Sequence, residues 1–283
     1  MQQTILFEDS DLLVLSKPAG VVVNEAQTLQ EETIQQWART QQNRWVDEST
    51  DWQSMVPADF DTTYGSPEEI FQIRAGMVHR IDRETSGAMV WAKNPGSLVH
   101  LLAQFKNHQV QKTYQALVHG VVEPRVGEIT APIGRIPWKR GLFGVMATGR
   151  PATTDYKVLQ TMLLKREEFV ARAKAAGMFK GLSAEQVFTR QGDYFRYSLV
   201  ECYPKTGRTH QIRVHFQHLK HPLAGDALYL GSKRQKLDAL WCQRHFLHAM
   251  GITFFHPRTG ENMSFQSPLP DDLSQSLRLL QSA

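Results

Sequence analysis

The chain has 283 residues, 41% of them apolar and 21% charged, with a formal net charge of +4. This is the composition of an ordinary soluble protein with ample length for a packed core, and its two cysteines, Cys202 and Cys242, argue against a disulfide framework or a cysteine-rich zinc site. No run approaches the roughly 18 apolar residues that cross a bilayer, and the acidic MQQTILFEDSDLL start is unlike a signal peptide, so a reduced, cytoplasmic setting is expected.

In chain order, Thr4–Glu8 and Leu12–Ser16 read as strands around an Asp9-Ser10-Asp11 turn. Lys17-Pro18-Ala19-Gly20 interrupts the pattern and Val21–Val23 resumes it. Leu29–Arg39 suits a short helix with Ile34 and Trp37 on one face. Residues 43–75 are polar and carry Pro57, Gly65 and Pro67, which suggests an irregular excursion. Met77–Asp82 and Ala88–Ala92 look like strand ends. Pro95 takes the favoured first position of a helix reaching about Asn107. Strands are expected over Thr113–His119, Gly127–Ile133 and Thr153–Leu159, with a basic loop, Trp138–Arg150, between the last two. Residues 163–192 hold an amphipathic helix, LLKREEFVARAKAAG, read as an insertion. Phe195–Tyr203 is a strand and Thr209–Leu219 a helix. Phe246–Phe255 and Asn262–Gln266 form a hairpin, and Asp271–Gln281 closes the chain as a helix with an acidic start. Strands often follow one another directly, so the fold class is α+β with a mainly antiparallel mixed sheet flanked by helices and loops. A single domain over 1–283 is expected, with insertions near 43–75 and 163–192.

Four stretches carry the chemistry: KPAG at 17–20, HRIDRETSG at 79–87, KTYQALVHG at 112–120, and KTGRTHQIRVHFQHLKHPLAGD at 205–226. In this order they resemble the catalytic domain of the RluA-type RNA pseudouridine synthases, over about residues 5–268. The resemblance implies the pseudouridine synthase fold and the isomerisation of uridine in ribosomal or transfer RNA. The C1′–N1 bond breaks, the base turns, and C1′ rejoins at C5. No atoms or electrons are exchanged with a second reactant, so no cofactor and no metal are expected, in keeping with the lack of a Walker loop or dinucleotide-binding glycine pattern.

The same resemblance assigns roles. Asp82 is the nucleophile, attacking or stabilising an electron-poor sugar carbon much as carboxylates do in glycoside chemistry. Arg213 is the guanidinium that keeps Asp82 ionised against the effect of burial. Tyr114 packs on the flipped uracil, where stacking on an aromatic ring is worth about 1–3 kcal/mol. Arg80 enters the space that the flipped base vacates. Arg83 serves a phosphate or is merely solvated. Lys17 and Lys112 make phosphate or local structural contacts. Arg208 belongs to the same RNA-binding set, and His210 braces the loop presenting Arg213. A zinc site built on His210, His215, His218 and His221 is disfavoured, for lack of an HExxH pairing or a cysteine partner. Many members of the family carry an N-terminal S4-type RNA-binding domain, and here the catalytic pattern starts near residue 5. RNA is the expected partner and a monomer the expected state. The rivals are an RNA-binding protein of the same fold without catalysis, and a carboxylate-dependent nucleosidase with Glu84 as the available second acid.

Overall fold

The computed structural model describes residues 4–25, 31–45, 51–139, 141–183, 186 and 192–283. In chain order the elements are β1 (Thr4–Glu8), β2 (Leu12–Lys17), α1 (Ile34–Trp45), α2 (Pro67–Arg74), β3 (Ser86–Ala92), α3 (Pro95–Lys106), β4 (Gln111–His119), β5 (Val126–Thr130), β6 (Ile133–Arg135), β7 (Phe143–Val145) and β8 (Thr153–Leu164). They continue with α4 (Arg166–Ala175), β9 (Arg196–Pro204), α5 (Gln211–His218), α6 (Ser232–Asp238), β10 (Leu247–Phe255), β11 (Asn262–Gln266), α7 (Asp271–Arg278) and β12 (Leu280–Ser282). The chain divides into two compact units, Met1–Lys112 with Ala249–Pro268, and Thr113–His248 with Leu269–Ala283.

In the first unit the strands follow the order β1-β2-β3-β10, and β11 pairs with β10. The turn into β2 is set by Asp9, whose Oδ1 accepts the N–H groups of Asp11 and Leu12 at 2.8 Å each. Every residue of β3 is buried. Successive side chains of β2 and β3 point to opposite faces. Leu12, Val14 and Val90 meet Leu98 and Leu101 of α3 on one face. On the other, Leu13, Leu15, Met89 and Trp91 meet Ile34 and Ala38 of α1. Full burial of each such side chain contributes about 1.5–3 kcal/mol. Helix α3 begins as expected, with Pro95 in its first turn and Asn94 capping Ser97 N–H.

Four expectations in this unit need correction. Val21–Val23 adds no strand, because the carbonyls of Val22 and Val23 accept the N–H groups of Ile34 and Gln35 at the start of α1. The first helix runs Ile34–Trp45, later than expected; residues 29 and 30 lie outside those described. The 43–75 excursion contains an ordered helix, α2, closed at its start by a reciprocal Ser66–Glu69 capping box. Met77 makes a single bridge to Trp91 before the chain leaves the ladder.

In the second unit the order is β4-β9-β8-β12 with β5 on β8, and every one of these pairs is antiparallel. Strands β6 and β7 form a separate two-stranded sheet, with β7 inside the expected basic loop and β6 just before it. One face of the main sheet is covered by aromatic side chains, among them Tyr194, Phe195, Tyr197 and Trp241, joined by Phe169 and Val170 of α4. The opposite face buries Ala116, Val118, Val158 and Val200 against Ile212 and Phe216 of α5. The last helix stops at Arg278 instead of Gln281, since Leu280–Ser282 pairs as β12 with the end of β8.

Candidate active site

Asp82 lies in the first unit, half-buried, on the loop that leads from the Met77 bridge into β3. Its carbonyl accepts Thr85 N–H at 3.1 Å, closing a turn over Arg83 and Glu84. The KPAG stretch clamps this turn. Lys17 is fully buried, and its ammonium donates to the carbonyls of Pro18, Val21 and Arg83 at 2.8, 2.9 and 2.8 Å. Gly20 N–H donates to Arg83 O at 3.0 Å, and Arg83 Nε–H returns to Gly20 O at 3.0 Å. Gly87, at φ +122°, follows at the start of β3; a Cβ there would stand 2.2 Å from the carbonyl oxygen of Ala249, so the backbones approach closely only because it is glycine. The phosphate contact considered for Lys17 is therefore corrected: an ammonium at zero exposure with carbonyls around it is a structural brace.

The other basic residues of this unit are arranged differently. Arg80 is exposed, with one N–H on Asn24 Oδ1 at 3.3 Å. Arg83 is exposed too, but its guanidinium is tied to Glu31 at 2.8 Å and faces Glu84 at 3.6 Å. Lys112, at the start of β4, has its ammonium pKa lowered to about 8 by burial. His79, in the opening motif, stacks on Phe105 with centroids 4.7 Å apart, and its Nε2 accepts Val90 N–H at 3.1 Å. Burial, and then the charge of Lys112, lower its pKa to about 3, so the ring is neutral and holds the loop against β3.

The second unit holds Tyr114, Arg208, His210 and Arg213. Tyr114 sits on β4 opposite Cys202 of β9 and packs, half-buried, against the core cluster that includes Ala116 and Ile212. Arg213 projects from α5 at 4% exposure and makes a two-pronged pair with Asp226, Nε to Oδ2 and Nη2 to Oδ1, both 2.8 Å. Asp226 is itself fully buried. Its Oδ1 also accepts the N–H groups of Leu228 and Tyr229 at 3.0 and 3.3 Å, which fixes the carboxylate opposite the guanidinium. The Arg213 Cζ lies 5.0 Å from the centre of the Tyr229 ring. That tyrosine's hydroxyl meets His210 Nδ1 at 2.9 Å and accepts Phe143 N–H at 3.2 Å. His210 adopts φ +56° immediately before α5. The TGRTHQ loop is sewn together by Gln211, whose Oε1 accepts Thr206 Oγ1–H and Arg208 N–H while its Nε2 donates to Thr153 O and Thr154 Oγ1. Arg208 donates from Nε to Pro151 O at 3.0 Å.

Asp226 and Gln211 are the residues that sequence reasoning missed. Both stand inside the quoted 205–226 stretch, and an acid in its terminal Gly-Asp was the available signal for a guanidinium partner. Of the clustered histidines, His215 bonds Thr154 and Ala131, and His221 bonds the His119 carbonyl. Among the described residues, Asp9, Asp11 and His256 bring three potential ligand atoms together. There Arg258 forks Asp11 at 2.7 Å on both oxygens and His256 holds Asp9 at 2.9 Å, so the group is a salt-bridge cluster.

Comparison with known proteins agrees with the placement of these motifs. The family model described as RNA pseudouridylate synthase matches residues 11–218. An uncharacterized RNA pseudouridine synthase of Chloroflexus aurantiacus is 40% identical over 74% of this chain, and the match covers 55% of that protein. A ribosomal large subunit pseudouridine synthase D of Neisseria meningitidis is 33% identical over 99% of this chain, covering 62% of its own length. The chain thus spans a little over half of these relatives. An uncharacterized RNA pseudouridine synthase of Bacillus subtilis is 34% identical over 99% of this chain and 73% of its own. The solved structure of human RNA Pseudouridylate Synthase Domain Containing 1 shares the fold, with a TM-score of 0.61 at 24% identity, covering 95% of this chain and 84% of that one. A fold this similar, together with a family match that runs through the Asp82 turn and into α5, means that the chain belongs to the RluA-type family of RNA pseudouridylate synthases.

Proposed function

We propose that the chain converts uridine in RNA to pseudouridine, with Asp82 as the nucleophile on a uridine turned out of its helix. The observation that carries this reading is the Asp82 turn: a half-buried carboxylate whose backbone is clamped by a buried lysine and a glycine hydrogen bond. A core does not need that expense of buried polar groups, whereas a nucleophile must be held to within a fraction of an ångström. In the reaction the C1′–N1 bond breaks and C1′–C5 forms; the C5 proton leaves and N1 ends protonated, so substrate and product are isomers. Asp82 takes up the electron-poor sugar carbon, or the base, while the bonds exchange. Tyr114 supplies an aromatic face for the uracil, and Arg213 supplies positive charge for the reaction. Asp226 takes one N–H from Nε and one from Nη2 of Arg213 and so sets the direction of the guanidinium. Arg80 occupies the place of the extruded base. A relative named for the large ribosomal subunit favours ribosomal RNA over transfer RNA as the substrate.

The test is Asp82→Asn, assayed on ribosomal and transfer RNA from cells lacking the protein. Pseudouridine formation is expected to vanish while RNA affinity stays within about threefold, because the amide keeps the shape and loses only the nucleophile. Full activity in the variant would refute the assignment. Release of free uracil by the wild type would instead establish the nucleosidase reading, and wild-type binding without either product the binding-only one.

A further inference from the structure

The second unit buries another carboxylate, one that the chemistry above does not use. Asp238, the last residue of α6, has zero exposure. Its Oδ2 accepts Gly225 N–H at 2.7 Å and the ring of His119, through Nε2, at 2.9 Å. Its Oδ1 accepts the Tyr194 hydroxyl at 2.6 Å, and Trp241 Nε1–H donates to that hydroxyl at 3.1 Å. His119 is buried as well, and its Nδ1 has no hydrogen-bond partner among the described residues. A carboxylate oxygen accepts, so the proton of this bond sits on His119 Nε2.

Burying a carboxylate in this way is expensive, and an apolar replacement of similar volume is often as stable or more so. What the carboxylate does that an apolar group cannot is hold a peptide. Gly225 stands at φ +71°, and a Cβ on it would lie 2.1 Å from Arg244 O. Its backbone is therefore pressed against a neighbour on one side and bonded to Asp238 on the other. The next residue is Asp226, whose side chain forks Arg213. Flanking bonds complete the clamp: Ala224 N–H to Leu117 O and Phe246 N–H to Ala224 O, both 2.8 Å.

We propose that Asp238, oriented by His119, is a positioning residue for the isomerisation: it fixes the Gly225–Asp226 peptide and thereby the direction in which Asp226 points the guanidinium of Arg213. The inference rests on the role given to Arg213 above. Asp238 touches neither substrate nor reacting atoms and acts only through that pair.

The test uses the full chain, single-turnover pseudouridine formation, RNA affinity and urea unfolding. Asp238→Asn is expected to slow the single-turnover rate about tenfold while leaving RNA affinity within about twofold. Tyr194→Phe removes the bond to Oδ1 and leaves the Gly225 bond; it is expected to lower stability but keep the rate within about twofold. In an Arg213→Lys background, which keeps the charge but not the fork, Asp238→Asn is expected to add no further loss, because the geometry it maintains is already gone. A rate loss in Tyr194→Phe equal to that in Asp238→Asn would mean general core damage and overturn the proposal. So would an undiminished effect of Asp238→Asn in the Arg213→Lys background. If Arg213→Lys is itself fully active, the role of Arg213 fails and takes this inference with it. If Arg213→Lys is crippled while Asp238→Asn is not, the inference alone fails. Should Asp238→Asn not fold, His119→Phe reads the same claim: a rate loss of about threefold that disappears in the Arg213→Lys background supports it, and an unchanged rate overturns it.

Discussion

Lys17 shows how far a basic side chain in an RNA-family motif can be from RNA. Its three carbonyl bonds join the KPAG loop to the Asp82 turn, and Lys17→Met would leave those carbonyls facing an apolar chain. A loss of about 3 kcal/mol is expected in urea unfolding, with activity falling as the turn loosens. The salt dependence of RNA binding should not change in the refolded fraction; a change would restore the phosphate contact. Lys112 makes the opposite case. With its pKa lowered to about 8 by burial, it is charged below that pH and neutral above it. If its cation holds a phosphate, RNA affinity weakens as pH rises from about 7 to 9. Lys112→Arg should flatten that limb, because a guanidinium stays charged throughout. Identical pH profiles for the two proteins would remove Lys112 from the binding set. Sequence alone could not separate these two lysines: both stand in short motifs, and only the fold surrounds one of them with carbonyls. Arg213 was legible for its kind but not for its partner, since the thirteen-residue separation from Asp226 is closed by α5 and the turn after it.

At the scale of elements, legibility followed the reach of the forces involved. Strand β1 and the β10–β11 hairpin could be read from alternation and turn residues because their order is local. Val21–Val23 looked like a strand by the same rule and is not one, because its carbonyls serve the start of α1, a partner out of reach of any local window. Strand β12 is three residues long and exists through its pairing with β8. Helix α2 carried its own signal, the Ser66–Glu69 box, inside a stretch otherwise too polar to attract notice. A tight inter-strand constraint is at Gly87, where β3 passes the Ala249 carbonyl of β10. Gly87→Ala adds a Cβ against backbone in a conformation that alanine resists, and neither strand can move without opening the ladder. About 3 kcal/mol of destabilisation is expected, read as a lower urea midpoint at constant slope. A loss under 1 kcal/mol would show that the two strands separate more easily than this packing implies.

Across the whole molecule, the net charge of +4 overstates how directly cations serve RNA. Lys17 is held by carbonyls, Arg213 pairs with Asp226, Arg244 with Asp272, and Arg258 with Asp11. Arg39 pairs with Glu25, and Lys93 with Glu8. The exposed cations Arg80, Lys139 and Arg150 have more of their charge available to phosphate. Each phosphate neutralised on a single strand changes the slope of log affinity against log salt by about 0.7. Arg80→Ala is therefore expected to reduce that slope by about 0.7, in binding measured by fluorescence anisotropy across a potassium chloride series. Arg83→Ala should reduce it by clearly less, since its guanidinium already faces Glu31 at 2.8 Å and Glu84 at 3.6 Å. Arg80→Ala could also lower affinity with no change in slope. Its side chain would then act on bases and not on phosphates, which fits a group that fills the gap left by a turned-out uridine. Equal slope changes for Arg80→Ala and Arg83→Ala would contradict the distinction that the ion pairs draw between two arginines only three positions apart.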